Sequence, residues 1–245
     1  MIALYRILLR TSVTRGRVLA FLAAGALLDL IAYAIRVTDS PGAFGPASHV
    51  GHAQSDVFQL LDQAGLALYV PVVALVFATS SLGDLASDGT LVYIWLRPVA
   101  RWKVVLVALA ATLTVTLPLT LVPAWIAVLL AGATTDALWA VTAATALATG
   151  AYVAVFTGFG LRVRHALIFG LAYVVIWEAV IASIGKGPAA ISIRHYAESV
   201  FGHLGNQTIP GVDRADLVPS LIVLVAVTTA GFALTTVLLE RHDVA

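Results

Sequence analysis

The chain of 245 residues contains no cysteine and few charged residues. Without cysteine the protein has neither a disulfide bond nor a metal site built on thiolates. Charged residues make up only 11% of the chain, whereas they make up roughly a quarter of an average soluble domain. This deficit, together with 60% hydrophobic residues, indicates that much of the chain has lipid as its solvent.

Motifs for nucleotide binding and hydrolytic catalysis are also missing. The chain has no Gly-x-x-x-x-Gly-Lys-Ser/Thr phosphate loop, because Gly185-Lys186-Gly187 lacks the upstream glycine and the following hydroxyl. Neither a His-Glu-x-x-His zinc motif nor a Gly-x-Ser-x-Gly nucleophile motif occurs. His49 and His52 are a close histidine pair, but loop histidines are usually solvated. We therefore predict no enzyme activity, no cofactor and no metal site in this chain.

The charge pattern argues against a nucleic-acid-binding surface. The formal net charge is +1, and lysine occurs only at positions 103 and 186. A nucleic-acid-binding domain carries basic residues clustered on one face, and no such stripe is present. The excess of arginine over lysine, with abundant alanine, is typical of a prokaryotic protein.

Apolar segments long enough to cross a bilayer, or nearly so, occur at six places. They cover residues 18–35, 65–82, 104–130, 137–161, 166–184 and 217–239. The backbone in lipid must satisfy its own hydrogen bonds, so we expect helices. The predicted fold is an all-α polytopic membrane protein, with residues 1–245 forming a single transmembrane domain.

The first residues, 1–17, are predicted to form an interfacial helix ahead of the first span. Arg6 and Arg10 stand four residues apart beside an apolar face, which is typical of a helix lying at the membrane surface. The alternative is a simple continuation of the first span into the cytoplasm. The first span itself is interpreted as retained and not as a cleaved signal peptide.

The distribution of basic residues predicts the orientation. With the N-terminus inside, ten basic residues fall on the cytoplasmic side and four outside. The cytoplasmic set is Arg6, Arg10, Arg15, Arg17, Arg97, Arg101, Lys103, Arg162, Arg164 and Arg241, and the outer set is Arg36, Lys186, Arg194 and Arg214. By the positive-inside rule both termini are cytoplasmic, and we expect a multi-pass protein of the prokaryotic cell membrane.

Two outer segments are long. Residues 36–64 are polar and are interpreted as a solvent-exposed excursion. Residues 185–216 form an extracytoplasmic loop in which apolar residues recur at roughly helical spacing, namely Ile191, Tyr196, Val200, Phe201 and Leu204. This spacing favours a short amphipathic or re-entrant helix at the outer mouth.

Small residues follow one face of the fourth span. Ala146, Gly150, Ala154 and Gly158 recur every four residues, so another helix is predicted to approach closely there.

Two acids lie inside the predicted spans, Asp29 and Glu178. A carboxylate within a membrane is energetically unfavourable and usually has a functional or structural role. Either acid could line a translocation path or couple to cation movement. The alternative is a structural role, with hydrogen bonds from Tyr33, Tyr173 or Trp177 that hold helices in register, and for Asp29 this alternative is favoured.

Residues 83–103 form a polar loop on the cytoplasmic side. The loop contains two acids, a Gly-Thr step and an Arg-Pro step followed by another arginine, namely Asp84, Asp88, Gly89, Thr90, Arg97, Pro98 and Arg101. Asp84 is predicted to cap a helix beginning at Leu85, whose apolar edge suits a groove on a partner protein. The alternative is ordinary anchoring at the membrane interface by Trp95, Trp102 and the basic residues.

Two stretches resemble the permease subunits of ABC-2-type ATP-binding-cassette transporters. The first runs from an acid, Asp84 or Asp88, through Gly89-Thr90-Leu91 to Arg97-Pro98-Val99-Ala100-Arg101, and the second is segment 170–178 followed by Ser192-Ile193-Arg194-His195. The six-span layout agrees along essentially the whole chain. The loop departs from the family in offering aspartate where glutamate is usual.

The resemblance implies the membrane-spanning subunit of a transporter, an exporter, driven by ATP hydrolysis on a separate chain. It also implies a dimer of identical or related permeases, with two ATPase subunits docked on the cytoplasmic loop. ATP and Mg²⁺ would then be held by the partner subunits, and the second and fifth spans would line the pathway. The alternative function is a non-transporting membrane scaffold for assembly or sensing.

Overall fold

The computed structural model describes residues 2–38, 53–87, 100–132, 134–181, 186–205 and 215–241. These ranges are helical apart from short turns, and no strand occurs in them. Ten α-helical and two π-helical segments follow one another along the described chain. They are α1 (Ile2–Ser12), α2 (Arg15–Thr38), α3 (Ala53–Leu60), π1 (Leu61–Tyr69), α4 (Val70–Ser87), α5 (Arg101–Leu130), α6 (Thr135–Arg162), α7 (Ala166–Ala172), π2 (Tyr173–Val180), α8 (Lys186–Ala189), α9 (Ile193–Leu204) and α10 (Leu217–Glu240).

Five helices in the described ranges are long and apolar enough to cross a membrane. They are α2, the continuous helix Gln54–Ala86, α5, α6 and α10. The sixth predicted span begins as a shorter apolar helix, Ala166–Glu178, and its last residues lie outside the described ranges. The architecture is thus all-helical, with several apolar helices of the kind found in multi-pass membrane proteins.

Helix α6 lies at the centre of the bundle, between α4, α5, α9 and α10. Its buried face is rich in alanine, including Ala137, Ala144 and Ala151, so neighbouring backbones can come close. A Cβ on Gly158 would lie 2.7 Å from Thr235 Oγ1 of α10. The predicted close approach is therefore confirmed at Gly158, whereas no described atom lies within 4 Å of a Cβ built on Gly150.

Helices α6 and α4 also approach each other closely at glycine residues. A Cβ on Gly160 would lie 2.7 Å from the main-chain oxygen of Thr79, and one on Gly83 would lie 2.9 Å from the main-chain oxygen of Gly160. Because backbone faces backbone here, any side chain would push the two helices apart. This contact with α4 lies on a different face of α6 from the predicted small-residue face, which packs on α10.

Helix α1 is separate from α2, since a short break at Val13 and Thr14 divides them. Leu8 of α1 is fully buried and packs with Leu82 of α4 and with Ala108 of α5. The Tyr5 hydroxyl lies 2.9 Å from Thr114 Oγ1. The side of α1 that contains Leu8 is therefore covered by protein, whereas Ile7 is 54% exposed.

Residues 36–64, interpreted from the sequence as a solvent-exposed excursion, include both exposed and buried side chains where the structure describes them. Helix α2 continues to Thr38, and residues 53–64 are helical, while residues 39–52 lie outside the described ranges. Val57 and Phe58 are buried, and the Phe58 ring packs edge-on against Phe201 of α9 at 5.5 Å between centroids. Because the segment is polar on average, its composition did not indicate the apolar face that contains Val57 and Phe58 and that packs against the rest of the protein.

Gly160→Ala tests the contact between α4 and α6. We expect a loss of about 1–3 kcal/mol in the free energy of unfolding, because the new methyl group meets the backbone of Thr79. The matched control is Gly150→Ala on the same helix, which meets open space and should be neutral or slightly stabilising. Thermal unfolding of the purified variants measures both effects, and equal stability of the two variants would contradict this packing.

Candidate functional site

The predicted coupling residues lie partly within the described structure. Asp88, Gly89, Thr90, Arg97 and Pro98 fall outside the described residues. Asp84 and Arg101 flank them at the end of α4 and the start of α5.

Asp84 does not cap a helix that begins at Leu85. Helix α4 runs without a break from Val70 to Ser87, so Asp84 lies within its last turn. Gly83 lies inside this helix and packs closely against Gly160. The Asp84 side chain instead pairs with Arg17, with 3.9 Å between Oδ2 and Nη1.

The ends of four helices meet on one face of the bundle, which we call the loop face and define by Arg17, Asp84, Arg101 and Glu240. Besides the Arg17–Asp84 pair, Arg101 Nη1 donates a hydrogen bond of 2.5 Å to the main-chain oxygen of Glu240. The start of α2 therefore lies beside the end of α4, and the end of α10 lies beside the start of α5.

A second polar site lies toward the other end of helix Gln54–Ala86, and we call it the acid cluster: Asp62, Glu178, Arg194 and Glu198. Glu178 of π2 is fully buried. Its Oε1 accepts hydrogen bonds from the Tyr173 hydroxyl at 3.0 Å and the Ile193 amide at 3.3 Å. Its Oε2 accepts one from the Ser192 hydroxyl at 2.5 Å.

These bonds connect π2 to the start of α9. Ser192 also accepts a hydrogen bond from the His195 amide and so caps α9 at its N-terminus. One carboxylate thus binds both the cap residue and the first residue of that helix. Tyr173 was one of the three partners expected for a structural Glu178, while Tyr33 is exposed.

Arg194 joins the other two acids of the cluster. Its Nη2 lies 3.3 Å from Asp62 Oδ2 of π1, and its Nε donates to Glu198 Oε1 one turn along α9. Its Nη1 also reaches the main-chain oxygen of Glu178 at 3.5 Å. One guanidinium therefore holds π1, π2 and α9 together.

Burial governs the ionisation of Glu198 and Arg194. Burial and, next, the Asp62 charge raise the pKa of Glu198 to about 9, against the lowering effect of Arg194. Burial lowers the pKa of Arg194, but the charges of Glu198 and Asp62 outweigh it, so that its pKa is raised. Burial and the Asp62 charge therefore favour the protonated form of Glu198, while Arg194 stays charged.

Two polar atoms in this region have no hydrogen-bond partner among the described residues: Asp62 Oδ1 and the Tyr152 hydroxyl. Both side chains are nearly inaccessible to solvent. Asp62 and Glu178 both belong to π-helical turns, which are rare and often occur at functional sites.

The sequence analysis did not single out Asp62 or Glu198, and it named Arg194 as an outer basic residue and as part of the second stretch of family resemblance, without a partner. One signal was available, because Arg194 and Glu198 are four residues apart on a short amphipathic helix. Asp62 gave no local signal, since its partner lies 132 residues further along the chain.

Asp29 has surroundings different from those of Glu178. It lies on α2 near Tyr69, whose hydroxyl donates to the main-chain oxygens of Leu119 at 2.9 Å and Phe21 at 3.0 Å. Asp29 Oδ1 is buried without a hydrogen-bond partner among the described residues. No group of three or more histidines and acids in the described ranges could hold a metal ion.

No protein-family model matches the chain, and neither a curated protein nor a solved structure matches it. A function for this chain therefore rests on its own residues.

Arg194→Gln tests the ion pairs of the acid cluster. We expect a loss of about 3–5 kcal/mol in the free energy of unfolding, because Asp62 would remain buried without its cation. Arg164→Gln, at an exposed position in the turn before α7, is the control and should have little effect. Thermal unfolding in detergent measures the difference, and a variant as stable as wild type would contradict the pairing.

Proposed function

We propose that this chain is the membrane-spanning permease subunit of an ABC-2-type transporter, an exporter driven by ATP hydrolysis on a separate subunit. The observation that carries the proposal is the stretch Gly89-Thr90-Leu91 to Arg97-Pro98-Val99-Ala100-Arg101, which joins two helices of membrane-spanning length. Two ATPase subunits, with their ATP and Mg²⁺, would dock on this segment from the cytoplasm, where the basic residues of the chain predominate.

The geometry of the loop face supports docking there. Asp84 and Arg101 precede and follow the segment in the sequence, Arg17 places the start of α2 at Asp84, and Glu240 places the end of α10 at Arg101. Helix α1 packs near the same end, because Leu8 contacts Leu82 in the last turns of α4. A partner bound at this face would therefore act on several helices at once.

A stiff element runs from the loop face to the acid cluster. Helix Gln54–Ala86 is continuous, with Asp84 near one end and Asp62 near the other. At 1.5 Å per residue, the two carboxyl groups are separated by about 30 Å along the helix axis. A displacement at the docking loop would move Asp62 against Arg194, which offers a route from nucleotide binding to the far side of the bundle.

The lipid-facing surfaces leave room for a second permease copy. Leu19, Leu22 and Leu30 of α2 are exposed, as are Ile168 and Ile176 of α7 and π2. In a bilayer such side chains contact either lipid or another apolar helix. The proposed dimer would use part of this surface, and the bilayer would cover the remainder.

Neutralising the loop acids tests the docking. We expect Asp84→Asn combined with Asp88→Asn to weaken the binding of the ATPase subunit by about tenfold, because the acids supply charge to the contact. The candidate ATPase is chosen from the neighbouring genes and co-expressed with the chain. Co-purification and vanadate-sensitive ATPase activity in nanodiscs are then measured.

Two controls make this test specific. Arg17→Gln breaks the ion pair with Asp84 but retains both acids, and it should leave docking nearly unchanged, since an exposed pair contributes only about 0–1 kcal/mol. Asp136→Asn is the second control, because Asp136 lies at the start of α6, away from the loop face. Unchanged binding by the doubly neutralised loop would contradict the docking role, and a wild-type chain that associates with no ATPase would favour the scaffold function instead.

A further inference from the structure

Two buried carboxyl groups share one cation in the acid cluster. The side chains of Asp62 and Glu198 are 3% and 7% exposed, and both contact the guanidinium of Arg194. Two ionised carboxylates on a single buried guanidinium would leave one negative charge uncompensated. Such a charge is strongly unfavourable in a medium of low dielectric constant.

The hydrogen-bonding geometry indicates where a proton is needed. Asp62 Oδ1 is buried and accepts no hydrogen bond from the described residues. Arg194 brings the two carboxyl groups to a single guanidinium, with Asp62 Oδ2 at Nη2 and Glu198 Oε1 at Nε. Ionised carboxylates are acceptors only, so neither acid can donate to the other unless one of the two is protonated. A proton on Glu198 would supply such a donor and would remove the uncompensated charge.

Three ionisable groups on the neighbouring elements π2, α6 and α10 have other surroundings. Glu178 of π2 is already bonded to Tyr173, Ser192 and the Ile193 amide. The Tyr152 hydroxyl of α6 is buried in the same region and has no hydrogen-bond partner among the described residues. Asp216, at the start of α10, is exposed.

We propose that Asp62 and Glu198 form a proton-binding site, in which one exchangeable proton lies between the two carboxyl groups and holds α9 against π1. Loss of the proton leaves two negative charges on one guanidinium and separates α9 from π1. The site is a property of this chain alone, so it stands whether or not the protein is a transporter.

The direction of the pH dependence follows from the ionisation of Glu198. Its pKa is raised from the ordinary value of 4.5 to about 9 in the folded protein. The folded state therefore binds one more proton than the unfolded state between these pH values, and its stability falls as pH rises. The stabilisation is complete below about pH 4.5 and is lost by about pH 9.

The test is a pH titration of the full chain in nanodiscs, followed by thermal unfolding and by infrared spectroscopy of protonated carboxyl groups. We expect the Tm of wild type to fall between about pH 5 and about pH 9. The Tm of Glu198→Gln should fall less over the same range, because the variant has no carboxyl group at position 198 to lose a proton. The glutamine amide still donates to Asp62, so the variant mimics the protonated state. Asp56→Asn, an exposed change on the adjoining helix α3, should behave as wild type.

Infrared spectra keep the proposal testable if Glu198→Gln fails to fold. Wild type should show a protonated-carboxyl band at neutral pH, and Asp62→Asn should lose this band at a pH lower by about one unit or more, because the Asp62 charge helps to retain the proton. The proposal would be overturned by a band that is absent from wild type at neutral pH or unaltered in Asp62→Asn. An equal slope of Tm against pH in wild type and Glu198→Gln would overturn it as well.

Discussion

The pairing of Arg194 with buried acids is the constraint on which this end of the bundle depends. A charged side chain away from water is tolerated only when opposite charges and hydrogen bonds surround it. Arg194 meets that condition through Asp62, Glu198 and the main-chain oxygen of Glu178. Because these groups come from π1, α9 and π2, satisfying one guanidinium fixes the positions of three elements.

The structure depends, second, on close backbone packing of α4 and α10 against α6. Small residues on α6 let α4 and α10 approach it, at Gly160 against Thr79 and at Gly158 against Thr235. Helix α4 continues into π1, so the same helix that packs on α6 also presents Asp62 to Arg194. The loop face and the acid cluster therefore lie at opposite ends of one helix. A partner that moves this helix at the loop face would also displace Asp62 in the acid cluster.

Local composition was enough to predict the long apolar helices, because bilayer thickness sets their length and hydropathy sets their position. Glu178 was found in the same way, as an acid inside an apolar run. Asp62 was missed because its partner is 132 residues away, and pairing over such a separation leaves no trace in local periodicity. The cap predicted at Asp84 was wrong because α4 continues to Ser87, and Gly83, which looked like part of a loop, packs inside the helix against Gly160.

A double-mutant cycle between Asp62 and Arg194 tests the central claim most directly. Asp62→Asn, Arg194→Gln and the double variant are compared with wild type by their free energies of unfolding in the same detergent. The account predicts a coupling energy of about 1–3 kcal/mol, because either single change removes the ion pair between the two side chains. Additive effects within about 0.5 kcal/mol would contradict it, since the two side chains would then contribute to stability independently.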